Sequence, residues 1–183
     1  GGGLVLNYDS FGPLRTELSG LIASAPFILA APPSRPYNLT ATFVAALARI
    51  VPWLKVPVRV QAKFISRDPE QVALYISDPL IKGISTTRGL RDMLTNGHAL
   101  LTSRYKDITP NVPILICHGT ADSLTDQLAS KEFADKIQVR DKEYKTYGGF
   151  YHELHNEPLR DRELVIQNYI QWLRARVPNA SNA

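Results

Sequence analysis

The sequence VPILIC (112–117) is a short apolar run, and HGTAD (118–122) follows it directly. An unbroken apolar run of this length is typical of a strand that is buried on both faces. A helical pattern over 127–137 comes next, and then an alternating, more exposed strand pattern over 142–147. Strand, helix and strand at this spacing predict a parallel βαβ unit and therefore an α/β fold.

Further elements are predicted on both sides of this unit. Residues 18–25 form a second apolar strand pattern, and residues 2–9 have helical composition without an N-capping residue before them. Helices are also expected near 68–75 and 86–105. The last predicted helix, 163–177, has an apolar face at the spacing of a helix surface: Ile166, Tyr169, Ile170, Leu173 and Val177.

Residues 26–60 are rich in proline and carry one predicted helix. Its apolar stripe recurs every three or four residues, which is the period of one helix face: Leu39, Phe43, Leu47, Ile50 and Leu54. From position 38 to position 54 the only charged residue is Arg49, so this helix is apolar well beyond the stripe.

Composition limits the classes of function. A chain of 183 residues that is 44% hydrophobic can bury the core of one globular domain. The net charge is +4, but no three consecutive residues are Lys or Arg, so a nucleic-acid partner is not indicated. The single cysteine, Cys117, excludes an internal disulfide and favours a cytoplasmic protein. No apolar stretch approaches the roughly 20 residues of a membrane-spanning helix.

The candidate chemistry follows the two strands of the βαβ unit. Parallel neighbouring strands end at the same edge of a sheet, where α/β proteins place their sites. The loop after the first strand carries Asp122, and the loop after the second carries His152. An acid that orients an imidazole is one half of a nucleophilic triad. We therefore predict Asp122 and His152 as catalytic residues.

Other residues near this edge have simpler interpretations. Asp126 lies directly before the helix at 127–137 and is predicted to be its N-cap. The string from His152 to His155 is one residue short of the HExxH zinc motif and has no third ligand nearby, so a metal site is not favoured. His118 is expected to be structural, and His98 receives no role. Cys117 ends a buried strand, where a thiol usually behaves as a small hydrophobic group.

Three segments of the C-terminal part resemble the monoacylglycerol lipases of the α/β-hydrolase superfamily: PILICHGTAD (113–122), SKEF (130–133) and YKTYGGFYHELHNE (144–157). Upstream, SGLIASAP (19–26), SRDP (66–69) and SDPLI (77–81) resemble the sixth strand and the cap of that family. The resemblance extends from Gly1 to about Val177. It implies the C-terminal part of an α/β-hydrolase fold, a parallel sheet flanked by helices with a helical cap insertion.

Within that fold the resemblance implies three regions. Residues 1–25 correspond to the helix after the nucleophile elbow and the next strand, 26–85 to the cap, and 86–183 to the core with the acid and histidine loops. The opening GGGLVLNY (1–8) looks like the tail of the family's elbow Gly-His-Ser-Met-Gly-Gly. The catalytic serine would then lie two residues before Gly1, and the chain would be a fragment that is inactive alone. The alternative is that these glycines remain from an expression tag.

The resemblance implies hydrolysis of a monoacylglycerol to glycerol and a fatty acid by a Ser-Asp-His triad, without a metal or organic cofactor. The partner would be a lipid ester. Phe27, Leu29 and the stripe through Phe43, Leu47 and Ile50 would supply apolar walls for its acyl chain. The resemblance also implies peripheral contact of the cap with a membrane or a lipid droplet, and no nucleic-acid partner.

Three alternatives remain open at the level of sequence. A lysophospholipase or a general carboxylesterase would share Asp122 and His152. A non-catalytic α/β-hydrolase-like binding protein would have kept the fold and lost the elbow. A dehalogenase-like enzyme would carry aspartate as the nucleophile, and the elbow residue alone would separate it from the others.

Overall fold

The structure is a computed structural model that describes residues 1–35, 38–58 and 60–176, with side chains described throughout except at 38–41. Within these ranges the α-helices and strands, in chain order, are α1 (Gly2–Phe11), β1 (Leu21–Ser24), α2 (Asn38–Ile50), β2 (Lys55–Pro57), α3 (Pro69–Ser77), β3 (Ile84–Thr86), α4 (Thr87–Thr102), β4 (Ile114–Gly119), α5 (Gln127–Lys136), β5 (Lys142–Tyr147) and α6 (Leu159–Arg174).

A three-stranded parallel sheet in the order β1–β4–β5 lies at the centre of the fold. Ala23 of β1 is next to Ile116 of β4, which in turn is next to Tyr144 of β5. The predicted α/β class with a parallel sheet flanked by helices is confirmed. Among the described residues, no strand pairs with the edge of β1 that faces away from β4.

The central strand β4 is buried along its whole length because helices cover both faces of the sheet. Alternate residues of a strand point to opposite faces. Ile114 and Ile116 join a core that includes Phe133 of α5, whereas Leu115 and Cys117 join a second core that includes Trp172 of α6. Two apolar faces explain why the run at 112–117 does not alternate with polar residues.

Two predicted apolar faces are wrong in part. Along α6, Tyr169 of the predicted face packs against the second core, but the fully buried side chains are Val165 and Trp172, and Ile166 and Leu173 are 40% and 45% exposed. The face that joins the core therefore carries Val165, Tyr169 and Trp172. Val177 lies outside the described residues. The helix itself begins at Leu159, four residues before the predicted start.

The stripe predicted for α2 is also largely wrong. Phe43 and Ile50 are mostly exposed, Leu47 is half-buried, and among the described side chains of this helix Ala48 is the buried one. The helix ends at Ile50, so Leu54 lies beyond it, and the side chain of Leu39 lies outside the described ones. The helix packs on α4, and the short antiparallel pair β2–β3, which the sequence analysis missed, joins the chain on either side of α3.

Gly2 and Gly3 belong to the packing of α1 and not to a free tail. A Cβ atom at Gly2 would lie 2.6 Å from the carbonyl oxygen of Ser24, and one at Gly3 would lie 2.7 Å from that of Phe27. Both distances are far inside van der Waals contact, so the helix can approach the chain after β1 only without side chains there.

Asp9 is a buried acid on α1 with an incomplete set of hydrogen bonds. Its side chain is not exposed, its Oδ2 accepts a long bond of 3.3 Å from the Thr109 amide, and its Oδ1 has no partner among the described residues. Burial raises the pKa of Asp9, although the bonds from Thr109 and the charge of Arg15 act in the opposite direction. The ionised form is therefore penalised in the folded state.

We expect the Asp9→Asn variant to have a higher free energy of unfolding at pH 7, by about 1 kcal/mol. Because the folded-state pKa is raised, the stability that Asp9 contributes is complete below the unfolded pKa of about 3.9 and is lost as the pH rises through the folded pKa. The gain should therefore shrink at pH 3, which urea unfolding at both pH values measures.

Asp141→Asn is the control, because Asp141 is exposed, is paired with Arg176 and has a lowered pKa. A loss of stability in Asp9→Asn at pH 7 would contradict this account.

Candidate active site

The ends of β4 and β5 bring an acid and a histidine into contact. Because the two strands are parallel and neighbouring, the loop at 120–126 and the loop at 148–157, here named the His loop, leave the same edge of the sheet. Asp122 Oδ2 accepts a hydrogen bond of 2.9 Å from Nδ1 of His152, thirty residues away in sequence. This is the acid–imidazole contact that the sequence predicts at this edge.

Asp122 is fully buried and surrounded by donors. Its Oδ1 accepts from the backbone amides of Leu124 (2.8 Å) and Thr125 (3.0 Å), which folds the loop around the carboxylate. Its Oδ2 also accepts from the Thr125 hydroxyl at 2.7 Å and lies 3.1 Å from Nε2 of His118. Burial alone would raise the pKa of Asp122, but the hydrogen bonds from His118, His152 and Thr125 and the charge of His152 hold it well below its usual range. The acid stays ionised at neutral pH.

His118, which is predicted to be structural, is in direct contact with Asp122. The ring is completely buried at the end of β4, with Nε2 at Asp122 and Nδ1 2.9 Å from the Ser130 hydroxyl. When Ser130 donates to Nδ1, the remaining ring proton is on Nε2 and points to the carboxylate. His118 thus contacts the same carboxylate oxygen as His152. The four-residue spacing of His118 and Asp122 is the only sequence signal for this contact.

Gly119 sets the distance between the two loops. A Cβ atom at this position would lie 2.3 Å from the carbonyl oxygen of Phe150 and 2.5 Å from that of Tyr151. The two backbones are joined there, with the Ala121 amide donating to the Phe150 carbonyl at 3.0 Å. Only glycine allows this approach, and the approach brings His152 within reach of Asp122.

A cavity of about 540 Å³ opens beside His152. Its walls are mostly apolar, and Phe27, Val44 and Met93 are among them. Of the predicted wall residues, Phe27 lines the cavity. Leu29 lies elsewhere, because its side chain packs against the main core and its carbonyl accepts from the Asp126 amide. Phe43, Leu47 and Ile50 also lie outside the lining, and α2 contributes Val44 in their place.

The remaining sequence candidates have other surroundings. Asp126 caps α5 through the Leu128 amide at 2.9 Å, as predicted, and pairs with Arg35. Burial raises the pKa of the Cys117 thiol to about 12, so this group is a poor nucleophile. In the described part of the chain, no three side chains of the types His, Cys, Asp and Glu converge as a metal site.

Comparison with known proteins gives a consistent assignment. The family model described as "Serine aminopeptidase, S33" matches residues 1–159. The monoacylglycerol lipase of Mycolicibacterium smegmatis is 30% identical over 173 residues, which are 94% of this chain and 59% of that protein. The structure is similar to that of a soluble variant of the Saccharomyces cerevisiae monoglyceride lipase in complex with a substrate analogue, with a TM-score of 0.90, 28% identity and coverage of 98% of this chain and 60% of that one.

A second solved structure, the monoacylglycerol lipase of Paleococcus ferrophilus, matches with a TM-score of 0.87 and 26% identity, over 97% of this chain and 66% of that one. The chain spans about half the length of the curated relatives it matches. The resemblance to the monoacylglycerol lipases and the α/β-hydrolase superfamily is therefore confirmed.

The close approach at Gly119 gives a prediction with a matched control in the neighbouring loop. Gly119→Ala should push the His loop away and lower the free energy of unfolding by about 1–3 kcal/mol. Gly148→Ala should be nearly neutral, because a Cβ atom there meets nothing within 4 Å. Denaturant unfolding of both variants measures the difference. Equal stabilities would show that the loops are not held by this contact.

Proposed function

We propose, because the chain belongs to the serine aminopeptidase S33 family of α/β-hydrolases, that it is the C-terminal part of a serine hydrolase that cleaves monoacylglycerols to glycerol and free fatty acid. The observation that carries this proposal is the bond between Asp122 and His152 beside a largely apolar cavity. The similarity to monoacylglycerol lipases over most of the chain supports the choice of substrate.

In this proposal each side chain has a step. Asp122 accepts a hydrogen bond from the Nδ1–H of His152, so the lone pair on Nε2 is free to act as a base. Within the described residues, no hydrogen bond engages this Nε2. His152 takes the proton of the serine hydroxyl as its oxygen attacks the ester carbonyl. It then passes that proton to the departing glycerol oxygen. Water then attacks the acyl-enzyme while His152 takes its proton. His152 returns that proton to the serine oxygen, and the fatty acid is released. Asp122 remains ionised and stabilises the imidazolium.

The nucleophile is proposed to lie in a G-x-S-x-G elbow whose last glycine is Gly1. In such an elbow a sharp strand-to-helix turn presents the serine at the edge of the sheet that carries the other catalytic loops. The packing of α1 supports this proposal, because Gly2 and Gly3 let the helix lie directly against the end of β1. The order serine, aspartate, histidine along the chain is the order of α/β-hydrolases.

The cavity supports a long acyl chain as the part of the substrate that is recognised. Each buried methylene contributes roughly 0.8 kcal/mol, so an apolar wall favours long-chain over short-chain esters. The one charged side chain that the described residues place on the wall, Arg35, pairs with Asp126. A lysophospholipase or a general carboxylesterase would use the same two catalytic residues, and a panel of these esters separates the three activities.

Replacement of Asp122 by Asn in the full-length protein should lower kcat for a long-chain monoacylglycerol by about 10⁴ and change KM little, because the imidazole would be held in the wrong tautomer. Asp135→Asn is the control, since Asp135 is an exposed residue of α5 that pairs with Lys131. A kcat for Asp122→Asn within a factor of ten of the unaltered enzyme would refute the assignment.

A fluorophosphonate probe should label the full-length protein on a serine before Gly1, and the chain of 183 residues alone should show no esterase activity. The reason is that the proposed nucleophile and oxyanion-hole donors precede residue 1. Mass spectrometry of the labelled peptide locates the modified residue. Labelling of any serine within 1–183, with hydrolysis by this chain alone, would place the nucleophile elsewhere.

We also propose that the region predicted as the cap touches a membrane or a lipid droplet. Large apolar side chains there are strongly exposed, with Phe43 at 67%, Trp53 at 72% and Leu80 at 84%. In the ranges that the structure describes, no helix is long and apolar enough to cross a bilayer. Contact at the surface would bury these side chains without insertion of a helix.

Liposome flotation tests this contact. The variant with Phe43, Trp53 and Leu80 all replaced by Ser should float less than the unaltered protein, because it loses the apolar area that the lipid would bury. Leu128→Ser on α5 removes an equally exposed leucine outside the cap and should float normally. If the unaltered protein does not associate with liposomes, the contact does not exist.

A further inference from the structure

The His loop is held not only by β4 but also by a short segment of the cap region, residues 65–68, here named the cap segment. The Glu153 amide donates to the Ile65 carbonyl at 2.9 Å, and the Ser66 hydroxyl donates to the Asn156 carbonyl at 2.6 Å. Arg67 completes the contact with a bond of 2.6 Å from its Nε to Glu157 Oε2. These three bonds cross about ninety positions of sequence, so they form only in the folded chain.

Glu157 lies at the centre of this contact. Its side chain is completely buried, and its Oε1 accepts a hydrogen bond of 2.6 Å from the Tyr151 amide, the residue directly before His152. Its second oxygen is neutralised by Arg67. Carboxylates that accept from an amide and from a guanidinium make stronger bonds than neutral acceptors. The peptide that leads into His152 is thus fixed by a buried charge.

Arg67 joins three parts of the molecule. Besides Glu157 it pairs with Asp161 of α6, and its guanidinium lies 4.6 Å from the centre of the Phe150 ring in the His loop. The ion pairs with Asp161 and Glu157 raise the pKa of Arg67 and outweigh the opposite effect of burial. Removal of this cation would leave the carboxylate of Glu157 buried without its counter-charge, which is costly inside a protein.

We propose that Glu157 and Arg67 are positioning residues for His152. Glu157 fixes the backbone before the imidazole, and Arg67 fixes Glu157 from the cap segment. The imidazole therefore keeps its bond to Asp122 only while the cap segment is in place, which couples the position of the cap to the readiness of the base. This inference rests on the proposed function for the role of His152 as a base, but its geometry can be tested separately.

The test uses the chain of 183 residues. Labelling of histidine with ¹⁵N reports on the imidazoles, and amide hydrogen exchange reports on the backbone. In Arg67→Met and in Glu157→Gln, the Tyr151 amide should exchange about tenfold faster or more, because a charge-assisted bond is weakened. The low-field Nδ1 proton signal of His152 should broaden or disappear. Arg67→Lys, which keeps the charge, should restore both signals in part. Arg67→Lys keeps the counter-charge of Glu157 at a side chain that is about one-third exposed, so this variant tests the proposal even if the Glu157 variant does not fold.

A control variant separates positioning from general stability. Arg176→Met removes the pair of Arg176 with Asp141, just beyond the C-terminal end of α6, and should leave the His152 signal unchanged. If Arg67→Met lowers the melting temperature but leaves the His152 proton and the Tyr151 amide as they were, the two residues are structural only and the proposal fails.

The same variants in the full-length enzyme distinguish failure of this proposal from failure of the proposed function. Loss of kcat at constant KM in Arg67→Met, with recovery in Arg67→Lys, is the expected result. A full-length protein without hydrolytic activity, in which Arg67→Met still disturbs the His152 proton, would refute the catalytic role and keep the coupling. Full activity in Arg67→Met would refute the coupling and keep the catalytic role.

Discussion

The hydrogen bond between Asp122 and His152 depends on one constraint, the contact of two backbones at Gly119. The parallel register of β4 and β5 brings two loops to the same edge of the sheet. Register alone does not set how closely the backbones of these loops approach each other. The missing side chain at Gly119 lets the carbonyls of Phe150 and Tyr151 lie against β4. The rest of the site follows from this approach, because the imidazole can then reach a carboxylate that is buried in the neighbouring loop.

A buried carboxylate is stable here because donors of the protein replace the hydrogen bonds that it loses from water. Two backbone amides, a threonine hydroxyl and two imidazoles surround Asp122. In the proposed reaction, such an acid remains ionised while His152 gains and loses a proton. His118 belongs to this set of donors, since its ring is completely buried and its Nε2 lies 3.1 Å from the carboxylate. The acid is therefore fixed by the core, and only the imidazole faces the cavity.

The sequence predicted the parts of this site that depend on local pattern. A short apolar run indicated β4, and the capping preference of aspartate indicated the start of α5 at Asp126, because both effects act over a few residues. The helix faces failed for a different reason. In α6 two apolar stripes lie side by side, and only the space over the sheet decides that Val165 and Trp172 are buried and Ile166 and Leu173 exposed. The contact between Arg67 and Glu157 joins residues ninety positions apart, and no local pattern marks it.

The His loop is thus fixed from two directions by two kinds of force. The strand side holds it by close packing and backbone bonds at Gly119, which cannot be released without unfolding of the sheet edge. The cap side holds it by a charge pair between Glu157 and a partly exposed arginine. The guanidinium also pairs with Asp161 and is about one-third exposed, so this side of the contact is the more accessible to water. In the proposed coupling, the loop responds to the cap segment on this side, while the backbone contact at Gly119 keeps Asp122 in place.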